Sequence, residues 1–431
     1  MLGGGSFTSQ NKVLPGSYIN FVSAARAAAA VSDRGIVAIP LTCSWGPERT
    51  VFEVTAEEFQ KNTLSIFGYT YNAPEMLNLR EVFQNAVKGI FYRLNTGTKA
   101  ANDYAEARYS GTRGNALKIA IMKNVDDANQ YDVKTYLGTT EIDAQTVTAA
   151  KDLKDNDFVT FKKDSTLAAT AGVPLTGGAD GESPTGAEHS GFLAAMESCT
   201  FHILCCPVAD EATKGLYAAF TKRLREEAGV KFQTVMFRKE ADYEGVISVE
   251  NEAEELTQGL VYWTAGAEAA CPVNKTNENR TYNGEYTVKA DLTQTQLSDG
   301  IKAGKFLFHK VGSEIRVLMD INTLVHYTDE KNEDFSSNQT IRVLDQIGND
   351  IAAMFNDRYL GKVPNDNAGR VSLWNDIVTY GNQLAGIRAV EAVTADDITV
   401  EKGQSKRSVM VNFPVTPINC MSQLYMTVVV Q

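Results

Sequence analysis

The chain has 431 residues, of which 43% are hydrophobic and 22% charged, so it can bury the cores of two to four domains and is neither disordered nor collagen-like. Its formal net charge is −12, from 41 Lys and Arg against 53 Asp and Glu, and a surface this acidic repels phosphate and argues against nucleic-acid binding. Six cysteines form no CxxC motif, which favours buried thiols and synthesis in the reducing cytoplasm.

The N-terminal region carries no export or membrane signal. Met1–Ser6 lacks the basic and apolar regions of a signal peptide, and the apolar run Ala24–Val31 is interrupted by Arg26. We therefore expect no membrane insertion. Residues 1–21 are predicted to form an arm, because Gly3–Gly5 and Pro15–Gly16 provide no packed pattern. A short β-prone run closes this arm, comprising Tyr18, Ile19, Asn20, Phe21 and Val22.

Residues 22–97 are predicted to be an α/β segment. A buried strand is expected over Gly35–Thr42, followed by an amphipathic helix whose apolar residues recur at spacings of three and four between Met76 and Ile90. The pattern of apolar and polar residues then changes at residue 98. Residues 98–178 contain short alternating runs separated by Asp, Asn and Gly, which predicts an inserted β-domain. The glycine-rich stretch Leu175–Gly181 is typical of a domain junction.

Residues 179–312 alternate between strand and helix patterns, and this alternation predicts a parallel α/β sheet. Strands are expected near Phe201–Cys205, Phe232–Phe237 and Val246–Val249, and a helix is expected over Leu260–Ala270. Residues 313–418 are predicted to form an α+β domain with two helices and a hairpin around the turn Lys402–Lys406.

The chain closes with a predicted arm, residues 419–431. It contains an apolar β-prone strand made of Leu424, Tyr425, Met426, Thr427, Val428, Val429 and Val430. No hairpin partner follows it in the sequence, and the run Tyr18–Val22 is equally unsupported by local neighbours. An unpaired apolar strand is an aggregation liability, so each run is expected to pair with its own domain or with a neighbouring subunit.

The sequence contains no recognisable catalytic machinery. The four histidines form no HxxxH or HExxH motif, so we expect no zinc site and no other metal. No GxSxG motif is present, and no cofactor-binding loop with the correct spacing is found. We therefore predict a protein with no catalytic residues, metal or cofactor.

Charge is distributed unevenly along the chain. Residues 179–312 hold 13 basic and 20 acidic residues, which is a net charge of −7. Lys402, Lys406 and Arg407 form a basic island in the predicted hairpin. Acidic and basic patches on one chain favour electrostatic contact between copies of it.

Several segments, in the same order along the chain, resemble the contractile tail sheath proteins of phages, defective prophages and phage-tail-like bacteriocins of Gram-positive bacteria. These segments are Pro15–Phe21, Arg34–Pro40, Leu175–Gly181, Ala265–Ala269, Pro272–Lys275, Arg342–Ile347, Asn349–Ile351 and Leu424–Val430. Together they span nearly the whole chain.

The resemblance implies a subtilisin-like α/β core without the peptidase site, an inserted β-domain, a C-terminal domain that faces an inner tube, and terminal arms that add strands to neighbouring subunits. It also implies a six-fold, stacked helical sheath that contracts irreversibly and drives the tube through a cell envelope.

The expected partners are further copies of the chain, the tail tube protein, and baseplate and tail terminator proteins. The particle, a virion or phage-tail-like particle, would assemble in the bacterial cytoplasm and leave by lysis. The alternative from another class is a subtilisin-like hydrolase, whose Asp, His and Ser motifs are absent.

Overall fold

The computed structural model describes residues 31–430. They divide into two compact units, a larger one of residues 33–349 and 417–430 and a smaller one of residues 31–32 and 350–416. The predicted N-terminal arm, including Tyr18, Ile19, Asn20, Phe21 and Val22, lies outside the described residues.

The larger unit begins with β1 (Ile36–Leu41), β2 (Val51–Thr55), α1 (Ala56–Phe67), α2 (Leu77–Phe83) and β3 (Lys88–Arg93). Six strands follow: β4 (Ala105–Ala107), β5 (Leu117–Lys123), β6 (Tyr131–Leu137), β7 (Thr140–Val147), β8 (Val159–Phe161) and β9 (Thr170–Pro174). The chain continues through α3 (Gly186–Met196), β10 (Ile203–Cys206), α4 (Glu211–Arg223), β11 (Gln233–Phe237), β12 (Val246–Val249), α5 (Leu260–Ala270), α6 (Gln294–Lys302), β13 (Lys305–Phe306), β14 (Phe308–Val311) and β15 (Glu314–Val317). Helix α7 (Asn338–Arg358) contributes its first half to this unit.

A seven-stranded sheet in the order β13-β12-β11-β10-β1-β3-β2 forms the centre of the larger unit. Neighbouring strands are parallel except β2 and β3. Both faces of β1 are buried, because Val37 and Ile39 pack in one core with α1, α2 and α5, while Ala38 packs in another core with α3 and α4. The sheet therefore draws strands from both predicted segments, 22–97 and 179–312, and the β-rich chain is inserted between them.

The inserted chain has its own antiparallel sheets and core. Strands β7, β6, β5 and β9 form one sheet and β4 pairs with β8. Trp45, which precedes the insertion in sequence, is buried in this core and packs edge-on against Tyr109 with ring centroids 5.4 Å apart. The β-rich chain is thus joined to the rest of the larger unit by packing as well as by its two connections.

Two local predictions in the N-terminal segment are corrected. The amphipathic helix expected as far as Ile90 ends at Phe83, and Ile90 lies in β3, because a buried turn and a buried strand repeat the same apolar spacing. Helix α1 was not predicted. Its start is marked by a capping box in which Thr55 Oγ1 accepts the Glu58 N–H at 3.2 Å and the Glu58 carboxylate accepts the Thr55 N–H at 2.8 Å.

The smaller unit contains the second half of α7, then α8 (Asn367–Gly386), β16 (Thr399–Lys402) and β17 (Val409–Asn412). Helix α8 begins where the Asp366 carboxylate accepts the Gly369 N–H at 2.8 Å. The division between the units falls within α7, between Asn349 and Asp350. Residues 313–349 thus group with the larger unit, although the sequence prediction started the C-terminal domain at residue 313.

Candidate functional site

The last described segment, residues 423–430, is exposed at every position. It is nevertheless apolar, since it carries Leu424, Tyr425, Met426, Val428, Val429 and Val430, and Tyr425 is 88% and Val430 90% exposed. Isolated exposed apolar residues are ordinary, but a contiguous run of them marks an interaction surface.

The predicted strand Leu424–Val430 is not formed within the chain. No backbone ladder reaches it from the other described residues. The run has β-prone residue types, but a strand also needs a second strand to hydrogen-bond with, and its own chain provides none between residues 31 and 430. Residues 423–430 are called the free segment from here on. This segment presents main-chain donors and acceptors that no other described strand uses, beside apolar side chains.

The residues just before the free segment are held on the larger unit. Gln339, near the start of α7, donates from Nε2 to the Ile418 carbonyl at 3.0 Å and accepts the Cys420 N–H at Oε1, also at 3.0 Å. Thr340 and Asn419 are hydrogen-bonded through their side chains. Sequence reasoning did not find these contacts, because they join positions about 80 residues apart without a motif.

Two buried contacts between an arginine and a carboxyl group fix the first half of α7 in the larger unit. Arg342 Nη2 lies 2.6 Å from Glu268 Oε2 on α5. Arg225 makes a bidentate pair with Asp345, with distances of 2.5 and 2.8 Å. The Arg225–Asp345 contact is charge-assisted and bidentate, and contacts of this kind restrict orientation strongly. The base of the free segment is consequently attached to a rigid part of the fold.

The three predicted basic contact residues lie together. Lys402 is the last residue of β16, Lys406 and Arg407 lie in the turn of the β16–β17 hairpin, and all three are exposed. The Gly403 N–H donates to the Ser408 carbonyl at 2.9 Å and closes this turn. The hairpin is a two-stranded sheet, and no other strand among the described residues pairs with its outer edges. Met410 and Val411 on β17 are exposed.

The hydrolase alternative requires a histidine that is hydrogen-bonded to a serine. His189 is buried and its Nδ1 lies 2.7 Å from the Tyr217 hydroxyl, while burial lowers the pKa of His202 to about 3. His326 pairs with Asp242 at 2.8 Å but is 84% exposed on its side chain. Within residues 31–430, no serine hydroxyl is hydrogen-bonded to a histidine. Among these described residues, the Ser-His-Asp relay of such an enzyme is therefore absent.

Ligands of α/β enzymes commonly bind at the carboxyl edge of the parallel sheet. In this chain, that edge carries side chains that form ion pairs with one another. Arg238, which follows β11, contacts Glu250 at 3.3 Å and Glu252 at 2.9 Å. Lys305 and Lys289 bind the same two carboxylates at 3.2 and 3.0 Å. Three cations and two carboxylates thus form a partly solvated network at this edge.

Groups of three or more His, Cys, Asp or Glu residues arranged to hold a metal ion are absent from the described part of the chain. None of the helices within residues 31–430 combines the length and the apolar composition needed to cross a bilayer.

Four family models match successive parts of the chain. They describe the tail sheath protein Gp18 domain III N-terminal region at residues 34–94, the phage tail sheath protein beta-sandwich domain at 95–180, the phage tail sheath protein central domain at 182–323 and the phage tail sheath C-terminal domain at 330–431.

Individual proteins and solved structures are also similar to this chain. The phage-like element PBSX protein XkdK of Bacillus subtilis (strain 168) is 33% identical over 99% of this chain and 99% of its own length. The crystal structure of a sheath tail protein from Desulfitobacterium hafniense superposes with a TM-score of 0.82 at 34% identity, covering 94% of this chain and 98% of that one. The anti-feeding prophage helical sheath in its contracted state shares the fold, with a TM-score of 0.54 at 12% identity over 97% of this chain and 99% of that one. The chain therefore belongs to the phage tail sheath protein family.

Proposed function

We propose that this chain is the structural subunit of a contractile sheath, which polymerises as stacked six-fold rings around an inner tube and contracts to drive that tube through a bacterial envelope. The free segment is the observation that carries the proposal. Eight consecutive exposed residues with an apolar sequence are costly to keep in water and are suited to burial against another copy. Membership of the tail sheath family supports the same function.

The linkage between copies is β-strand addition. In this mode main-chain hydrogen bonds supply affinity, and alternate side chains fill pockets on the acceptor. Each buried Val or Leu side chain contributes about 1.5–3 kcal/mol, so the free segment can link two copies firmly. The predicted N-terminal run Tyr18–Val22 is proposed to act in the same way. Such tethers allow a lattice to rearrange without dissociating.

The β16–β17 hairpin is the proposed acceptor. Val400 and Val409 pack the hairpin into a core with α8, and the unpaired edges of this two-stranded sheet offer main-chain groups to an added strand. Met410 and Val411 provide exposed apolar contacts along one edge, and Lys402, Lys406 and Arg407 provide positive charge at the turn. These basic residues are proposed to contact the acidic surface of residues 179–312 in a neighbouring copy.

The wider assembly is part of the proposal. Residues 179–312 are proposed to form a subtilisin-like α/β core without peptidase activity, and the mostly parallel sheet with helices on both faces supports this assignment. The tail tube, baseplate and tail terminator proteins are its partners, without nucleic acid or membrane insertion. The particle, a virion or phage-tail-like particle, assembles in the bacterial cytoplasm and is released by lysis.

Deletion of residues 423–430 tests the function. We expect the full chain to form filaments or tubes in negative-stain micrographs, and the deletion variant to remain a folded monomer with unchanged circular dichroism. The matched control replaces two exposed apolar residues elsewhere, Met122→Ser with Val125→Ser, and should polymerise normally. Normal polymerisation of the deletion variant would contradict the proposal.

A further inference from the structure

The base of the free segment is bound in a strand-like manner by one side chain. The Gln339 amide contacts the Ile418 carbonyl and the Cys420 N–H, each at 3.0 Å, and so it meets alternate backbone groups as a neighbouring strand would. Gln339 is only 2% exposed. A buried amide whose two ends are both satisfied has a single favourable position, and this position fixes the backbone at residues 418–420.

Neighbouring contacts extend this attachment on both sides of Cys420. Thr340 Oγ1 lies 3.2 Å from Asn419 Oδ1 and 3.1 Å from Asn419 Nδ2. The Ser422 hydroxyl donates to the Glu278 carboxylate. Within the described residues 423–430, the one hydrogen bond is local, because the Tyr425 hydroxyl donates to Gln423 Oε1 at 2.8 Å. The change from held to unheld backbone therefore falls at residue 423.

We propose that Gln339 and Thr340 form an anchor that remains engaged in the polymer, so that only residues 423–430 are donated to another copy. This inference rests on the proposed function. Anchoring the base reduces the number of residues that must be ordered on pairing and therefore the entropy that pairing costs. Eight extended residues span at most roughly 26–29 Å, so the anchor also limits how far from it an acceptor strand can lie.

A reversible cross-link tests whether the anchor stays closed. In a Cys420→Ser background, Thr340→Cys and Asn419→Cys place two thiols where hydrogen-bonded side chains now meet. We expect the disulfide to form in the folded monomer, and the oxidised and reduced proteins to polymerise at the same concentration. A folded monomer in which the disulfide does not form would contradict the anchor geometry. An oxidised monomer that polymerises only after reduction would show that the base must detach, and would overturn the proposal.

Gln339→Leu tests the positioning role of the amide. The substitution keeps a side chain of similar size and removes both hydrogen bonds, so the critical concentration for polymerisation should rise about five- to tenfold, the effect of roughly one net hydrogen bond. Hydrogen exchange at the Cys420 amide should accelerate in the variant monomer. Introducing the Thr340–Asn419 cross-link into the Leu variant should restore the original critical concentration, which would not happen if the defect were in packing. An unchanged critical concentration, or no restoration, would contradict the anchor.

The two proposals fail differently. If deletion of residues 423–430 prevents polymerisation while the cross-linked protein also fails to polymerise, the anchor is wrong and the sheath function stands. If the deletion variant polymerises normally, the donated strand itself is wrong.

Discussion

Arg342 and Glu268 face each other with both side chains 1% exposed, and their Nη2 and Oε2 atoms lie 2.6 Å apart. The same nitrogen lies 3.2 Å from Asp320 Oδ2. One cation thus serves two buried carboxylates. Desolvation, followed by the charge of Asp320, raises the pKa of Glu268 to about 8, even though Arg342 opposes this shift. The raised pKa favours a proton on Glu268 at neutral pH, whereas Arg342 lowers the pKa of Asp320 against its burial and favours the charged form there.

This protonation predicts a pH dependence of stability. Because the folded pKa of Glu268 is raised above its ordinary value of 4.5, its contribution is complete below about pH 4.5 and is lost as the pH rises toward 8. Glu268→Gln removes the titration. We expect the free energy of unfolding of this variant, relative to the original protein, to improve steadily between pH 5 and pH 8 in urea titrations. A difference that does not change with pH would contradict the assignment of the proton.

The Arg225–Asp345 pair predicts a large loss of stability when it is broken. Both side chains are less than 10% exposed, and Arg225→Met leaves the Asp345 carboxylate buried without its cation. We expect a loss of about 3–5 kcal/mol in the free energy of unfolding, measured by urea denaturation. The control is Lys61→Ala, which breaks the exposed pair with Glu57 and should cost no more than about 0.5 kcal/mol. Equal effects would show that burial does not govern these pairs.

Close packing between α2 and α5 predicts opposite outcomes for two glycine substitutions. A Cβ at Gly266 would lie 2.3 Å from the Val82 carbonyl oxygen, so Gly266→Ala forces the helices apart and should cost about 1–3 kcal/mol. A Cβ at Gly215 in α4 would meet no atom within 4 Å. Gly215→Ala should therefore stabilise the protein by about 0.5–1 kcal/mol. Thermal unfolding measures both, and destabilisation of similar size at the two positions would contradict the argument.

The sequence predicted the elements whose patterning is local. Strand β12 and helix α5 match their predicted bounds, because a short buried β-branched run and an alanine-rich apolar segment have few other solutions. The pairing of β1 with β10 was not predicted, since it joins Val37 to Ile203 across the whole inserted β-domain. Long-range register is set by burial in three dimensions, which a single sequence does not display.

The candidate site was predictable to a similar extent. The apolar composition of Leu424–Val430 identified the free segment, because composition is a property of the sequence alone. The anchor was not identifiable, since a Gln and a Thr in the first turn of a helix are ordinary helix residues. Their role depends on a backbone about 80 positions away, which only the folded chain brings to them.

The basic turn of the β16–β17 hairpin provides the last prediction. Lys402, Lys406 and Arg407 are exposed, so changing all three to Glu should leave the subunit folded, with unchanged circular dichroism and melting temperature. If the turn approaches the acidic surface of another copy, reversal of its charge replaces attraction with repulsion and should slow polymerisation about tenfold at low salt.

The matched control reverses three exposed lysines of the β-domain, Lys99, Lys151 and Lys154, and so changes the net charge equally. Light scattering at low and high salt measures both rates. The difference between the two variants should shrink at about 1 M salt, where the Debye length falls to about 3 Å. Equal slowing of both variants would mean that net charge, rather than this turn, controls the contact between copies.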